Sequence, residues 1–222
     1  MMRRLAIHRY LDPGETLGEV MGGFIMALTF TLGARLVTAA TQLEARDLVV
    51  AIVGCNIAWG VIDATLFVLN NLFYRSRHVR FFRSLKDLRS EAEALAAVEE
   101  EFGLEDEPLA VHPEDRARLY QSFMTLSARA TPARKGLRRQ DFVAAVIVFV
   151  LVSATAVPAV IPLLLLADSD LALNVSNGVL ILLLFVVGYW WGRYTDAPPW
   201  RVGLTAMSMG IFMVLVAVAL GG

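Results

Sequence analysis

The chain has 222 residues, of which 57% are apolar and 18% are charged, and its formal net charge is −1. Because the charges cluster between long apolar runs, we expect a membrane protein rather than a soluble globular domain. The single cysteine, Cys55, excludes an intramolecular disulfide and any site built from several cysteines. We expect no nucleic-acid partner.

Five apolar segments are long enough to cross ~30 Å of hydrocarbon as helices. A polar segment, residues 1–15, precedes them, and no clean signal-peptide cleavage site follows it, so we expect the first helix to be retained. The segments cover residues 16–40, 48–73, 141–167, 171–192 and 199–220. We therefore predict an all-α integral membrane protein with helices 1–2 in residues 16–73, an insert in residues 74–140 and helices 3–5 in residues 141–222.

Basic residues set the expected orientation. Arginines precede the first segment, the insert holds thirteen Lys or Arg, and residues 192–201 hold Arg193 and Arg201. The loops expected on the opposite side carry only Arg46. The sequence thus predicts that the N-terminus and the insert lie in the cytoplasm, and the lack of a targeting segment suggests a bacterial inner membrane.

The insert is predicted to be a helical hairpin. Apolar residues repeat at spacings of four and three, a heptad seam broken once by Glu99, and Gly103 is a plausible helix stop. Pro113, followed by two acids, suits the first turn of a second helix. The seam residues are Phe81, Leu85, Leu88, Ala92, Leu95, Glu99 and Phe102. An exposed seam of this kind favours packing against a second copy of the chain.

Polar residues inside the first two spans are the candidates for an ion path. Asp63 lies well inside its segment, where an ionised carboxylate costs a few kcal/mol, and such residues commonly mark a substrate path or a proton relay. Asn56 and Asn70 share its helical face. Glu19 lies near the cytoplasmic end of the first span, and Met26 could supply a thioether ligand. The alternative is that Asp63, protonated or bonded to an amide, only holds helices together.

The acidic centre of the insert is a second candidate site. Residues 91–115 hold ten acids and no Lys or Arg. Carboxylates and an imidazole suit Mn²⁺, Fe²⁺ or Zn²⁺, and we expect Glu93, Glu99, Glu100 and His112 to gather the ion. A solvated acidic helix end explains the same residues equally well. We expect no enzyme, because the sequence shows no phosphate loop, no Ser/His/Asp arrangement and no paired histidines.

Three stretches resemble the vacuolar iron transporter family. Residues 157–163, VPAVIPL, resemble the proline-bracketed end of its third helix. Residues 188–210, GYWWGRYTDAPPWRVGLTAMSMG, resemble its fourth helix, short basic loop and fifth helix. Residues 18–34, GEVMGGFIMALTFTLGA, align with its first helix, with Glu19 in the place of an aspartate. The resemblance implies a homodimer, a metal path between the first two helices, proton-coupled export and an insert whose glutamates collect Fe²⁺.

We therefore expect a transporter that exports a divalent ion of the iron or manganese class from the cytoplasm. Asp63 would be the intramembrane site, Glu19 the cytoplasmic mouth, and no cofactor would be bound permanently. The family's Glu-x-x-Glu pairs are missing from this insert, and its second helix reads GCNIAWGVIDATLF. A non-transporting membrane scaffold of the same fold and a passive cation channel remain as alternatives.

Overall fold

The computed structural model describes residues 11–38, 45–87, 90–102, 112–129 and 136–219. The helices in this part, in chain order, are α1 (Pro13–Thr38), α2 (Ala45–Asp87), α3 (Glu91–Phe102), α4 (Pro113–Arg129), α5 (Arg139–Ala154), α6 (Ala156–Leu165), α7 (Ser169–Gly192) and α8 (Pro199–Ala219). The chain divides into two compact units, Met1–Val68 with Arg138–Gly222, and Leu69–Leu137. The first unit therefore holds four of the spans and the first part of α2, and the second unit holds the rest of α2 with the insert.

All five predicted membrane spans are present in the described part of the chain. They are Pro13–Ala34, Arg46–Leu85, Arg139–Leu165, Ser169–Gly192 and Pro199–Ala219. The described elements are helices, as expected for a membrane protein in which each span must satisfy its own backbone hydrogen bonds. The prediction of an all-α membrane protein with five spans is confirmed.

The first span begins earlier than residue 16. The Asp12 carboxylate accepts a hydrogen bond from the Gly14 N–H at 2.8 Å, and the Glu15 carboxylate accepts one from the Asp12 N–H at 3.2 Å. Pro13 then occupies the first helical position, where its missing N–H costs nothing. Residues 12–15, which the sequence predicted to be part of the polar segment, therefore form the capped first turn of α1.

The third span, predicted as one helix, is interrupted at Thr155, which separates α5 from α6. Pro158 has no N–H to bond the carbonyl of Ala154, and its ring crowds that carbonyl. The Thr155 N–H bonds instead to the carbonyl of Val152 at 3.2 Å. The Thr155 hydroxyl donates to the same oxygen at 2.6 Å, a back-bond that bends helices.

The membrane unit is built around α7. Leu180 and Leu184 of α7 are completely buried and cluster with Leu28 of α1 and Ile52 of α2. Side chains on the outer faces of α2 and α8 are exposed, as expected where helices meet lipid tails. Glycines bring α7 and α8 together: a Cβ at Gly188 would lie 2.8 Å from the Ala206 Cβ and 2.9 Å from the Val202 oxygen.

The insert unit has its own small core. Val98 of α3 is completely buried and clusters with Leu85 of α2 and Tyr120 of α4. Helix α4 begins at Pro113, as the sequence predicted, whereas Gly103, the predicted stop of α3, lies outside the described residues. Of the predicted seam, Leu85 and Leu95 belong to this core, Ala92 and Glu99 are exposed, and Leu88 lies outside the described residues. The Ser90 hydroxyl accepts a hydrogen bond from the Glu93 N–H at 3.1 Å and so caps the start of α3.

Candidate functional site

The two acidic residues that the sequence singled out in the membrane spans lie on α1 and α2, which are in contact. Glu19 of α1 and Asp63 of α2 are both half-buried. Asn56 of α2 lies 3.3 Å from the Gly23 carbonyl of α1, and Glu19 and Asp63 lie one and two helical turns beyond that contact. Because consecutive spans run in opposite directions, both acids lie toward the same end of the helix pair.

Asn56 lies two turns from Asp63 on α2 and is completely buried. Its Nδ2 lies within hydrogen-bond distance of three acceptors on other helices. These are the Gly23 carbonyl at 3.3 Å, the Val152 carbonyl at 3.4 Å and the Thr155 hydroxyl at 2.8 Å. The Oδ1 atom is buried and meets no donor within the described ranges. The nitrogen of Asn56 therefore joins helices, and only its oxygen is available to a ligand.

Met26 lines a cleft of about 560 Å³ between α1 and α2. The cleft is almost entirely apolar. Thr29 of α1 and Cys55 of α2 also line it, and Asp47 lines it at the start of α2. The α1 residues lie between Met26 and Ala34 and the α2 residues between Asp47 and Cys55. The cleft therefore occupies the part of the helix pair that extends away from Glu19 and Asp63.

The remaining predicted site residues lie in the insert unit and are exposed. Asn70 lies on the part of α2 that belongs to this unit. The other four are Glu93, Glu99, Glu100 and His112. No three His, Cys, Asp or Glu side chains among the described residues come close enough to hold a metal ion. The structure does not bring these residues together, and their role in gathering the ion stays a prediction.

Sequence reasoning missed a second polar contact inside the membrane unit. The Thr31 hydroxyl of α1 donates to Asn177 Oδ1 of α7 at 2.6 Å, and both residues are buried. Ser176 donates to the Ala159 carbonyl of α6 at 2.8 Å. The sequence did contain a signal for this contact, because Asn177 is a polar residue within the apolar run of the fourth span.

Sequence reasoning also missed the partners of Asn56. Thr155 and Gly23 carry no charge and lie far from Asn56 in sequence. The signal at Thr155 was its position three residues before Pro158, where a helix in a membrane needs an additional hydrogen-bond partner. Gly23 is needed because a Cβ there would collide with the Thr155 side chain.

Comparison with known protein families identifies a match for this chain. No curated protein matches the chain. The model of the VIT family, the vacuolar iron transporters, matches residues 71–222. The match covers the insert and the last three spans, and it leaves Glu19, Asn56 and Asp63 outside. The earlier resemblance is thereby confirmed over most of the chain. With five apolar spans and this match, the chain is a multi-pass membrane protein that belongs to the VIT family of metal-ion transporters.

Proposed function

We propose that this protein exports a divalent metal ion of the iron or manganese class from the cytoplasm, in exchange for protons. The observation that carries the proposal is that Glu19 and Asp63, two half-buried acids within apolar spans, lie beyond the same contact between α1 and α2, that of Asn56 with Gly23. The family match supports transport of a metal ion in general. The choice of ion and the direction of movement go beyond the family match and are part of the proposal.

Two ionised carboxylates inside a membrane carry an energetic cost that some favourable interaction must offset. One ionised carboxylate at membrane depth costs about 3 kcal/mol on insertion scales. A second negative charge nearby adds repulsion that water screens poorly there. A divalent cation between Glu19 and Asp63 would offset both costs. Carboxylate oxygens prefer hard ions such as Mn²⁺, and waters kept by the ion could complete its shell.

The cleft between α1 and α2 would continue the route away from the carboxyl pair. It begins near Met26 and Cys55 and extends to Asp47, at the start of α2. Asp47 and Asp63 are sixteen residues apart, about 24 Å along a helix, which is most of the hydrocarbon thickness. Glu19 and Asp63 would then form the cytoplasmic entrance and Asp47 the exit.

The distribution of charge and the family resemblance support the remaining parts of the proposal. Basic residues in the N-terminal segment, the insert and the loop 192–201 favour a cytoplasmic location for all three. We propose a homodimer in a bacterial inner membrane. Exposed acids of the insert would attract cations, with Glu93, Glu99, Glu100 and His112 as the residues that gather them.

Metal uptake into proteoliposomes tests the proposal. Wild type, Asp63→Asn and the matched control Asp196→Asn, whose side chain is exposed in the loop after α7, would be compared with Mn²⁺ and Fe²⁺. We expect Asp63→Asn to abolish most uptake and Asp196→Asn to preserve it. Equal uptake in all three proteins would remove Asp63 from the path. No uptake of either ion by wild type would favour a scaffold, and uptake that ignores a proton gradient would favour a channel.

A further inference from the structure

The Asn56 amide joins three helices at one point inside the membrane unit. Its Nδ2 is 3.3 Å from the Gly23 carbonyl of α1 and 3.4 Å from the Val152 carbonyl of α5. It is 2.8 Å from the hydroxyl of Thr155, the residue at the break between α5 and α6. Because an amide NH₂ has two hydrogens, one of them is shared between two acceptors.

The orientation of this amide is fixed by its partners. Backbone carbonyls can only accept, and the Thr155 hydroxyl already donates its hydrogen to the Val152 carbonyl at 2.6 Å. Reversing the amide would place Oδ1 against these oxygens. The Oδ1 atom meets no donor among the residues that the structure describes. Asn56 therefore acts on the fold through its N–H groups.

The contacts of Asn56 lie within about two helical turns of Glu19 and Asp63. Gly23 is four residues from Glu19 on α1, about 6 Å along the helix, and Asn56 is seven residues from Asp63 on α2, about 10 Å. Both spacings keep the residues on one face of their helix. A Cβ at Gly23 would collide with the Thr155 side chain, so α1 lies as close to the break as its backbone permits.

We propose that Asn56 is a positioning residue for the Glu19–Asp63 pair. Its hydrogen bonds to Gly23 and Thr155 set the distance and rotation of α2 relative to α1, and thereby the separation of the two carboxyl groups. The proposal rests on the proposed transport of a metal ion through that pair. In this proposal, the break at Thr155 in the third span supplies the hydrogen-bond acceptor that fixes α2 next to α1.

The competing explanation is that Asn56 only stabilises the bundle. Thr31 supplies a matched control, because its hydroxyl also makes a buried hydrogen bond between helices, 2.6 Å to Asn177 Oδ1. It lies twelve residues from Glu19 on α1, about 18 Å away along the helix. Asn56→Asp and Thr31→Val both keep the side-chain volume nearly constant and remove hydrogen bonds that join helices.

The first test measures initial Mn²⁺ uptake against Mn²⁺ concentration in proteoliposomes containing wild type, Asn56→Asp or Thr31→Val. Loss of a group that orients metal ligands commonly weakens metal affinity by about 10–100-fold. We expect Asn56→Asp to raise the half-saturating concentration at least about tenfold. Thr31→Val should leave it within about twofold, since loss of folded protein lowers the maximal rate but not the affinity.

The second test measures the geometry without transport. Cysteines would replace Glu19 and Asp63 in a Cys55→Ala background, and a short thiol crosslinker would join them. We expect Asn56→Asp to lower the crosslinking yield and Thr31→Val to leave it unchanged. Equal yields in the two variants would overturn the positioning role whatever the uptake shows. If wild type moves no Mn²⁺ but the yields differ, the positioning stands and the transport proposal fails.

Discussion

Gly188 lies at a close contact between α7 and α8, and replacing it tests how the last two spans are held together. A Cβ at this position would lie 2.8 Å from the Ala206 Cβ, 2.9 Å from the Val202 carbonyl oxygen and 3.0 Å from the Gly203 Cα. Two of these three atoms belong to the backbone, so no rotation of a side chain can relieve the contact. We expect Gly188→Ala to push α8 away from α7.

The expected cost of Gly188→Ala is about 1–3 kcal/mol, the usual range for adding a methyl group to a packed contact. In a chain of this size, each kcal/mol corresponds to a fall of roughly 2–4 °C in the midpoint of thermal unfolding. Thermal unfolding of the detergent-solubilised protein, followed by tryptophan fluorescence, would measure the shift.

Gly178 provides the control, because it lies on the same helix and a Cβ there would meet nothing within 4 Å. Gly178→Ala should change stability by less than about 1 kcal/mol, in the stabilising direction, because alanine restricts the unfolded chain. Equal midpoints for the two variants would refute the claim that glycine lets α7 and α8 approach.

Three further predictions concern the insert and the helix ends. Val98→Ala should destabilise the insert by about 1–3 kcal/mol, since Val98 is completely buried; proteolysis of the full-length protein would detect it, and unchanged cleavage would contradict it. Arg77→Gln removes a 2.9 Å ion pair with Glu101 but should cost less than about 1 kcal/mol because the Arg77 side chain is 55% exposed; a larger fall in the unfolding midpoint would contradict this. Asp168→Ala should cost about 1 kcal/mol, because its carboxylate accepts from the Asp170 and Leu171 N–H groups at 2.9 and 3.0 Å; a midpoint equal to that of wild type would show that this cap is dispensable.

The membrane spans could be predicted from the sequence because a bilayer imposes a length and an apolar composition on each one. The start of the second insert helix at Pro113 also followed from a local signal, a proline in the first turn. The start of α1 carried such a signal too. Asp12, Pro13 and Glu15 form a capped first turn, but their polar character placed them in the predicted segment that precedes the span.

The candidate site could be predicted only in part. Spacing along one helix shows that Asn56 and Asp63 share a face, but it does not show which residues of other helices that face meets. The contact between Asn56 and Thr155 depends on how α2 packs against the third span. The proximity of Glu19 and Asp63 likewise depends on the register of α1 against α2, which spacing within either helix cannot determine.

The interruption at Thr155 has a consequence for biogenesis. At 1.5 Å per residue, the 16 residues of α5 extend about 24 Å and the 10 residues of α6 about 15 Å. Neither half reaches across ~30 Å of hydrocarbon alone. The translocon must therefore admit residues 139–165 as one unit, and a charge introduced into either half would be expected to hinder lateral release of the whole segment into the bilayer.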